Sequence, residues 1–580
     1  MIKLNQNFHK YYLYQSLKIN WGKKPSNSVN LKKGNKFEWF PDGKLNLYQN
    51  CVSDHLKLFK KKFAIISIDK NNIIKKYTYA ELDNLVSKMS EYIFLKKKNK
   101  KNFNVMIHAS ASIESAVLML ACAKIGVHFS VIFEELQRDG IINRIKLFNP
   151  HLFFTRFYKD KFNNSFKIKN KKRIKFIYGE DIKDIFLKKK PFNLENRNFK
   201  SSTNLFTLFT SGSTGKPKGV THSTGGYLLY TKMTCGNRFG MNSKSMVLTA
   251  SDAGWINGHT YSLFGPLIFG ATTILLEKPI NLINIDLIKK IIKLKTTIIY
   301  LPVTLIRLIK STNPNLRINK KNITAIGSMG EPLAPSIAKW FAKVFKNKNS
   351  AVVNTYFQTE TGGIICSPKF NTTQKRAPHG SVGETINNFI KLNNLDQKKL
   401  REIKILTPWP GMMKNIINGK KEWDKYWDEK GNFKLFDLAT KKKNNIYIHG
   451  RNDDVINIRG HRIGSEEIES IILSINEITE CCAITLNDKL EGAKIYLFVV
   501  SNKKFDNKIE KKIISNFGSF ALPKKIFYVK DIPKTRSGKI LRRLLRNLVK
   551  SPNLKNIGDT STILNIKSLN KIKNRLVNDK

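Results

Sequence analysis

Short apolar runs rich in β-branched and aromatic residues alternate with longer stretches of helical periodicity, and few architectures accept that pattern. Phe63 to Ile68 reads as a strand, and Tyr79 to Ile93 as a helix with its apolar positions on one face. Asn104 to Ile107, Ile113 to Ile125 and Phe129 to Phe133 repeat the alternation, which Ile141 to Phe148 and Leu152 to Thr155 extend. Successive βα units build parallel sheet covered by helices, so the expected fold class is α/β. No internal repeat at solenoid periods and no long Pro/Gly/Ser linker interrupts the chain.

The 580 residues, 41% of them hydrophobic, exceed what one domain of roughly 150 residues holds. A composition break near Asp437, where Phe433 to Leu438 gives way to the charged stretch 441–445 and then to Ile446 to His449, suggests a boundary there. Beyond it Glu466 to Ile475 reads as a helix, Ala493 to Val500 as a strand and Ile509 to Phe517 as a helix, together a smaller α+β unit.

Lysine and arginine number 103 against 43 aspartates and glutamates, a formal net charge of +60. A charge of that size suits a binder of nucleic acid or of an anionic surface, but its distribution does not. Lysines fall in short runs along the whole chain, such as Lys60 to Lys62, Lys97 to Lys101, Lys188 to Lys190 and Lys441 to Lys443, beside abundant Asn and Ile that share A/T-rich codons. They read as solvated faces, so no specific nucleic-acid partner is expected.

Six cysteines, at positions 51, 122, 235, 366, 481 and 482, form no CxxC pair or zinc spacing and are too few for a disulfide framework. Cys481 and Cys482 stand in an apolar context that reads as buried strand. The best apolar stretch, Ala116 to Ala123, ends at Lys124, short of the roughly 18 residues of a membrane span. No acidic residue precedes Glu38, as in an organellar transit segment, yet there is no apolar signal core, and Trp21, Trp39 and Phe40 read as parts of a fold. A cytoplasmic location is the expectation and an organellar one the alternative.

The densest chemical signal is Thr207 to Gly219, where a strand runs into hydroxyls, glycines and lysine. Glycines let successive N–H groups approach oxygens, hydroxyls donate further bonds and lysine supplies charge, which is what a phosphate needs. The loop is not a Walker motif, because Thr210 stands where that motif has its first glycine and Pro217 follows Lys216.

Thr210, Ser211, Gly212, Ser213, Thr214, Gly215 and Lys216 resemble the phosphate loop of the adenylate-forming superfamily. Seven further matches are similar to its acetyl-CoA synthetase branch. They are Trp39 to Asn46 with Asn50 to His55, Asp252 to His259, Gly327 to Pro332, Tyr356 to Gly363, Gly450 to Gly464, Pro533 to Ile540 and Gly558 to Thr562. These cover nearly the entire chain in the family's order. The resemblance implies a multi-subdomain adenylation domain over residues 1–452, with a family-specific segment over about the first 60, and a small mobile domain over 453–580.

It also implies an AMP-forming acid–thiol ligase: acetate attacks the α-phosphate of MgATP, and the thiol of coenzyme A then displaces AMP. By match to the family, Thr210 to Lys216 cradles the β- and γ-phosphates. Gly330, Glu331 and Pro332, with Asn354, Thr355, Tyr356, Phe357, Gln358 and Thr359, correspond to the adenine and AMP-binding loops. Asp437 corresponds to the carboxylate that takes the ribose hydroxyls, and Arg451 and Arg462 to nucleotide-binding arginines. Glu360 matches the Mg²⁺ ligand, a hard oxygen donor that suits the ion.

Lys539 matches the catalytic lysine, whose ammonium bridges carboxylate and α-phosphate as the transition state forms. Its acylation would remove that charge, so enzymes that acylate and deacylate lysine are expected partners. Asp453 matches the hinge about which the small domain turns, and Gly460 the glycine facing the pantetheine tunnel. A monomer or small homo-oligomer with no membrane association is expected.

Several positions depart from the family. Ile256, Asn257, Met329 and Phe357 stand where the acetyl pocket has Val, Thr, Val and Trp, which leaves propionate as an alternative substrate, since one methylene discriminates by only about 1–3 kcal/mol. On the coenzyme A side Asn257, Asn281, Arg459 and Gly460 fall at contact positions, while Ile514 replaces an arginine and Glu134 with Glu135 replaces a Gly-Gly pair. Ile475 replaces a histidine of a small-domain metal site. The alternatives are a propionate–CoA ligase, another short-chain ligase that forms acyl-AMP, or a non-catalytic basic binding protein.

Overall fold

The structure is a computed structural model that describes residues 4–166, 174–188, 194–211, 217–279, 282–318, 322–345, 351–370, 377–417, 419–452, 455–458, 461–488, 492–535, 540–551, 563 and 566–578. Two seven-stranded sheets dominate it. The first runs in the order Asn415–Ile417, Pro217–Ser223, Asn204–Ser211, His128–Ile132, Asn104–His108, Leu152–Thr155 and Lys175–Ile177. The second runs Ala351–Asn354, Ala325–Met329, Ile298–Pro302, Met246–Thr249, Thr272–Leu276, Phe63–Ile68 and Ile74–Thr78, parallel except at its last pair.

Both faces of these strands are covered, which is why their sequences are continuous apolar runs rather than alternations. Along Ile298–Pro302, Ile298 and Tyr300 enter one core, while Ile299 and Leu301 enter another. Val105 and Ile107 likewise part from Met106. The outer face of the second sheet carries Ile285–Lys293, whose Ile285, Ile288 and Ile292 recur on one side and whose start is capped by Asn284 accepting from the Leu287 amide at 3.0 Å. Between the sheets lie the helix Thr224–Phe239 and a wide π-helical turn, Gly258–Phe264.

The helices Tyr79–Lys97, Ile113–Lys124 and Arg138–Phe148 fall where periodicity placed them. Cys481 and Cys482 are buried in the strand Glu480–Asp488, and all six cysteines are free. Trp21, Trp39 and Phe40 are core residues, packed near an N-terminal helix, Gln6–Ser16. Among the described residues no helix is long and apolar enough to cross a membrane.

The composition break near Asp437 is a turn and not a boundary. Phe433–Lys442 and Asn445–Arg451 form one antiparallel hairpin that pairs onward with Arg401–Ile405, and Lys443 supplies the turn in a left-handed conformation. Charged residues gather there because the turn faces water.

After the hairpin comes a smaller unit. Glu480–Asp488, Gly492–Val500 and Lys525–Tyr528 form its sheet, with Ser465–Ile472 and Asp506–Phe517 against it. Arg542–Lys550 and Ile566–Asn578 close a second core through Leu545, Leu548, Leu569 and Ile572. Ile475 is buried in the unit's apolar cluster, and Ile514 is 47% exposed.

Two buried histidines set a pH limit. Burial, aided by Lys414, pushes His128 down to about 3, and burial lowers His259 to about 3. The unfolded chain takes up a proton on each below about 6.5 while the folded chain refuses it. Stability is therefore full above 6.5 and falls at up to about 1.4 kcal/mol per pH unit per group between 6.5 and 3. Urea unfolding between pH 7.5 and 5 should show this slope, and His128→Asn should flatten it. An unchanged slope in that variant would count against the assignment.

Candidate active site

Neighbouring parallel strands of the second sheet end at Pro302, Met329 and Asn354, and the segments that follow their carboxyl ends lie side by side. That is where open parallel sheets take ligands. Gly330 leaves the sheet at φ +92°, a left-handed conformation that only glycine adopts cheaply, and a Cβ there would meet nothing within 4 Å. The first sheet contributes Thr210, near the end of Asn204–Ser211. Ser211 pairs with Pro217, so the flanks of the glycine-rich segment share one ladder. The Thr210 hydroxyl is buried with no hydrogen-bond partner among the described residues.

Asp437, 8% exposed, joins three segments. Its Oδ2 accepts from the Tyr356 hydroxyl at 2.6 Å and from Gln358 Nε2 at 2.6 Å, and Arg451 Nε stands 3.9 Å from Oδ1. Gln358 also donates to the Leu435 carbonyl at 2.6 Å. Phe436, beside Asp437, has φ +57°. A left-handed non-glycine residue costs roughly 1–2 kcal/mol. Arg451 and Lys434 both lie over the Phe436 ring.

Asn354 is held by Ser328 Oγ at 2.9 Å and donates to the Ser381 carbonyl at 3.0 Å; Thr355 donates to the Ser328 carbonyl at 2.8 Å. His222 Nε2 donates to the Thr359 carbonyl at 2.8 Å. Glu360 follows in a short turn, 6% exposed. Burial alone would raise its carboxyl, but the Lys218 ammonium at 3.1 Å and the Tyr426 hydroxyl, donating at 2.5 Å, hold it below the usual carboxylate range. An ionised buried carboxylate fits a hard cation. Among the described residues no group of three or more His, Cys, Asp or Glu side chains stands together as a metal cluster.

The acyl-pocket positions also converge. Ile256 and Met329 are buried, Asn257 Nδ2 contacts Met329 Sδ, and Phe357 packs edge-on to Tyr261. Asn257 Oδ1 is buried without a hydrogen-bond partner among the described residues. Glu331 turns its carboxylate to Arg307, a buried ion pair, while Pro332 continues the loop.

The remaining sequence-derived positions are not comparable. Gly212, Ser213, Thr214, Gly215, Lys216, Asn281, Asp453, Arg459, Gly460 and Lys539 lie outside the described residues. So do the side chains of Ser211 and Arg462, whose backbones are in strands. Sequence reading missed Lys218, Tyr426 and Arg307 as site residues. Lys218 stands inside the phosphate-loop motif and was within reach, whereas Tyr426 and Arg307 carry no local signal.

Two largely parallel sheets whose loops meet at buried carboxylates, followed by a small α+β unit, are the architecture of adenylate-forming enzymes. The overall fold matches acetoacetyl-CoA synthetase from Streptomyces lividans with a TM-score of 0.81 at 15% identity, covering 100% of this chain and 95% of that one. It matches the anthranilate CoA ligase AuaEII in complex with anthranoyl-AMP at 0.75 and 16% identity, covering 87% and 97%. Residues 53–408 match the AMP-binding enzyme family, and 467–539 the AMP-binding enzyme C-terminal domain. Acetyl-coenzyme A synthetase from Helicobacter pylori is 31% identical over 95% of this chain and 91% of its own length, and that from Campylobacter jejuni is 31% identical over 96% and 92%. The chain belongs to the AMP-binding enzyme family and is an AMP-forming acyl-CoA ligase.

Gly362 offers a direct test of the Glu360 turn. It has φ +69°, and a Cβ on it would come within 2.0 Å of the Gly411 carbonyl oxygen. Gly362→Ala should cost about 2–4 kcal/mol by thermal unfolding and abolish turnover. A variant of unaltered stability would show that the turn is not built as described.

Proposed function

We propose that the carboxylate substrate is acetate and that the enzyme makes acetyl-CoA through acetyl-AMP. The reading rests chiefly on the junction at Asp437, where the segment after Asn354, the hairpin and Arg451 come together, in a chain whose curated relatives are acetyl-coenzyme A synthetases. In the first step an acetate oxygen attacks the α-phosphorus of ATP, the bond to the bridging oxygen breaks and pyrophosphate leaves. In the second, the coenzyme A sulfur attacks the acetyl carbonyl carbon, its proton is lost and AMP leaves.

The chain's own groups position and neutralise charge. Asp437 would accept the ribose hydroxyls, with Tyr356 and Gln358 fixing its orientation. Gly330 to Pro332 and Asn354 to Thr359 would flank the adenine and AMP, and Arg451 and Arg462 would meet phosphate. Thr210 to Lys216 would hold the β- and γ-phosphates. Glu360 would hold Mg²⁺, which when bound neutralises charge on the departing pyrophosphate. Lys539 would supply its ammonium to the carboxylate and α-phosphate in the first step only, carried by a small domain (453–580) that turns about Asp453 and presents Gly460 to the thiol in the second.

Two observations keep specificity open within this reading. Phe357 is smaller than Trp while Met329 and Ile256 exceed Val, so propionate competes. On the acceptor side, Glu134 replaces the first glycine of the family pair and pairs with Lys70 at 2.6 Å and Arg156 at 3.1 Å. Burial would raise its carboxyl, but these two cations hold it at about 2, so a buried ion pair stands where the family has glycine. Asn257, Asn281 and Arg459 would be the contacts to coenzyme A.

Pyrophosphate release with MgATP and acetate, propionate or butyrate, with and without coenzyme A, tests the reading. Acetate-dependent release with thioester formation is the expected result. Release without thioester would place the acceptor elsewhere, and no release would refute the ligase. Lys539→Ala should abolish acetyl-AMP formation yet leave thioester formation from supplied acetyl-AMP nearly intact. Equal loss of both steps would remove Lys539 from its assigned role.

A further inference from the structure

The two oxygens of Glu331 face different parts of the molecule. Oε2 pairs with Arg307, and both side chains are only 8% exposed. Oε1 accepts from the backbone amide of Ile540 at 3.4 Å. Glu331 sits in the loop that leaves the second sheet after Met329, whereas Ile540 belongs to the small unit and immediately follows Lys539. One carboxylate thus touches both sides.

The chain around Lys539 is fastened at its base. Lys534 bridges to Ile540 across an antiparallel pair, and the Leu541 amide donates to the Pro533 carbonyl at 2.9 Å. Lys534 is ion-paired to Glu480, and Arg542 grips Glu469 at 2.7 Å and Glu466 at 3.2 Å. Thr535 bridges to Ile563 on the outer side. These contacts lie within the small unit, so they move with it. Glu331 ties this base to the large unit.

We propose that Glu331 is a positioning residue for adenylation. Anchored by Arg307, its carboxylate captures the Ile540 amide and sets the register in which Lys539 is presented, so that the loop expected to flank the adenine and the segment carrying the lysine are coupled. The inference rests on the ligase reading and on the role of Lys539. It assigns to Glu331 a function distinct from contacting nucleotide: its carboxylate is committed to Arg307 and the small unit. When the small unit turns away for the thiol step, the Ile540 contact breaks and the Arg307 pair remains, so the acceptor stays formed for the next cycle.

The test separates the half-reactions in the full-length chain. With saturating MgATP and acetate and no coenzyme A, Glu331→Ala should slow pyrophosphate release about tenfold, the loss of one long hydrogen bond to a charged acceptor, with the KM for ATP changed less than about threefold. Thioester formation from supplied acetyl-AMP and coenzyme A should stay within about twofold, which also reports that the variant folds. Glu331→Gln offers one oxygen to two donors, Arg307 and the Ile540 amide, and should stay slow.

Glu331→Ala leaves Arg307 buried without its partner, so Arg307→Met with Glu331→Met provides a second variant free of stranded charge, and it should show the same split. A raised KM for ATP with unchanged turnover would overturn the proposal in favour of a nucleotide contact. Equal loss in both half-reactions or normal adenylation by the double variant would also overturn it. If the unaltered protein releases no pyrophosphate with any carboxylate, the ligase reading falls first and this coupling with it.

Discussion

A carboxylate taken out of water must be met by donors or it will not stay ionised, and this constraint organises the molecule. The chain carries far more lysine and arginine than acid, yet several junctions between distant segments are made by buried acids. Asp437 joins the hairpin to the segment after Asn354, Glu360 joins a short turn to Lys218 and Tyr426, and Glu134 joins Lys70 to Arg156. In each case the carboxylate gathers donors from elements far apart in sequence, and its geometry is fixed by their number rather than by its own backbone. The cations on the surface have water; the acids inside have only one another's neighbours.

That asymmetry explains what could be read from the sequence. Strands and helices of the two sheets were legible because burial on both faces writes itself as apolar runs, and helices on a sheet as a period of 3.6. The burial of Cys481 and Cys482 followed from the same logic. The hairpin after Phe433 was misread as a boundary, since a polar turn between two strands and a linker between two domains share a composition. The long polar stretch before Trp39 gave no sign of its N-terminal helix, whose buried positions are Phe8, Tyr12, Gln15 and Ser16 rather than an aliphatic stripe.

The site shows the same division. Glycines, hydroxyls and acids stood in motifs that resembled a family, so Asp437, Gln358 and Glu360 were found by position. Their partners were not, because Tyr426 lies 66 residues from Glu360 and Arg307 lies 24 from Glu331, in segments shaped by helix packing or aromatic stacking. A donor to a buried carboxylate needs only reach and a proton, so it leaves no spacing rule behind. Phe436 is instructive in the opposite sense: a residue at odds with local propensity marks where the neighbouring carboxylate is held.

The bridge from Thr535 to Ile563, with Ile566–Asn578 packed behind it, has a consequence for how the protein is made. The pair Lys534–Ile540 is braced by chain that the ribosome delivers only later. A nascent polypeptide can finish both large sheets while its small unit still lacks Leu569, Ile572 and Leu576 from its core. Among the described residues, closure of that second core is thus the last packing event of synthesis. A message cut short before those codons would leave Leu545 and Leu548 without their cover.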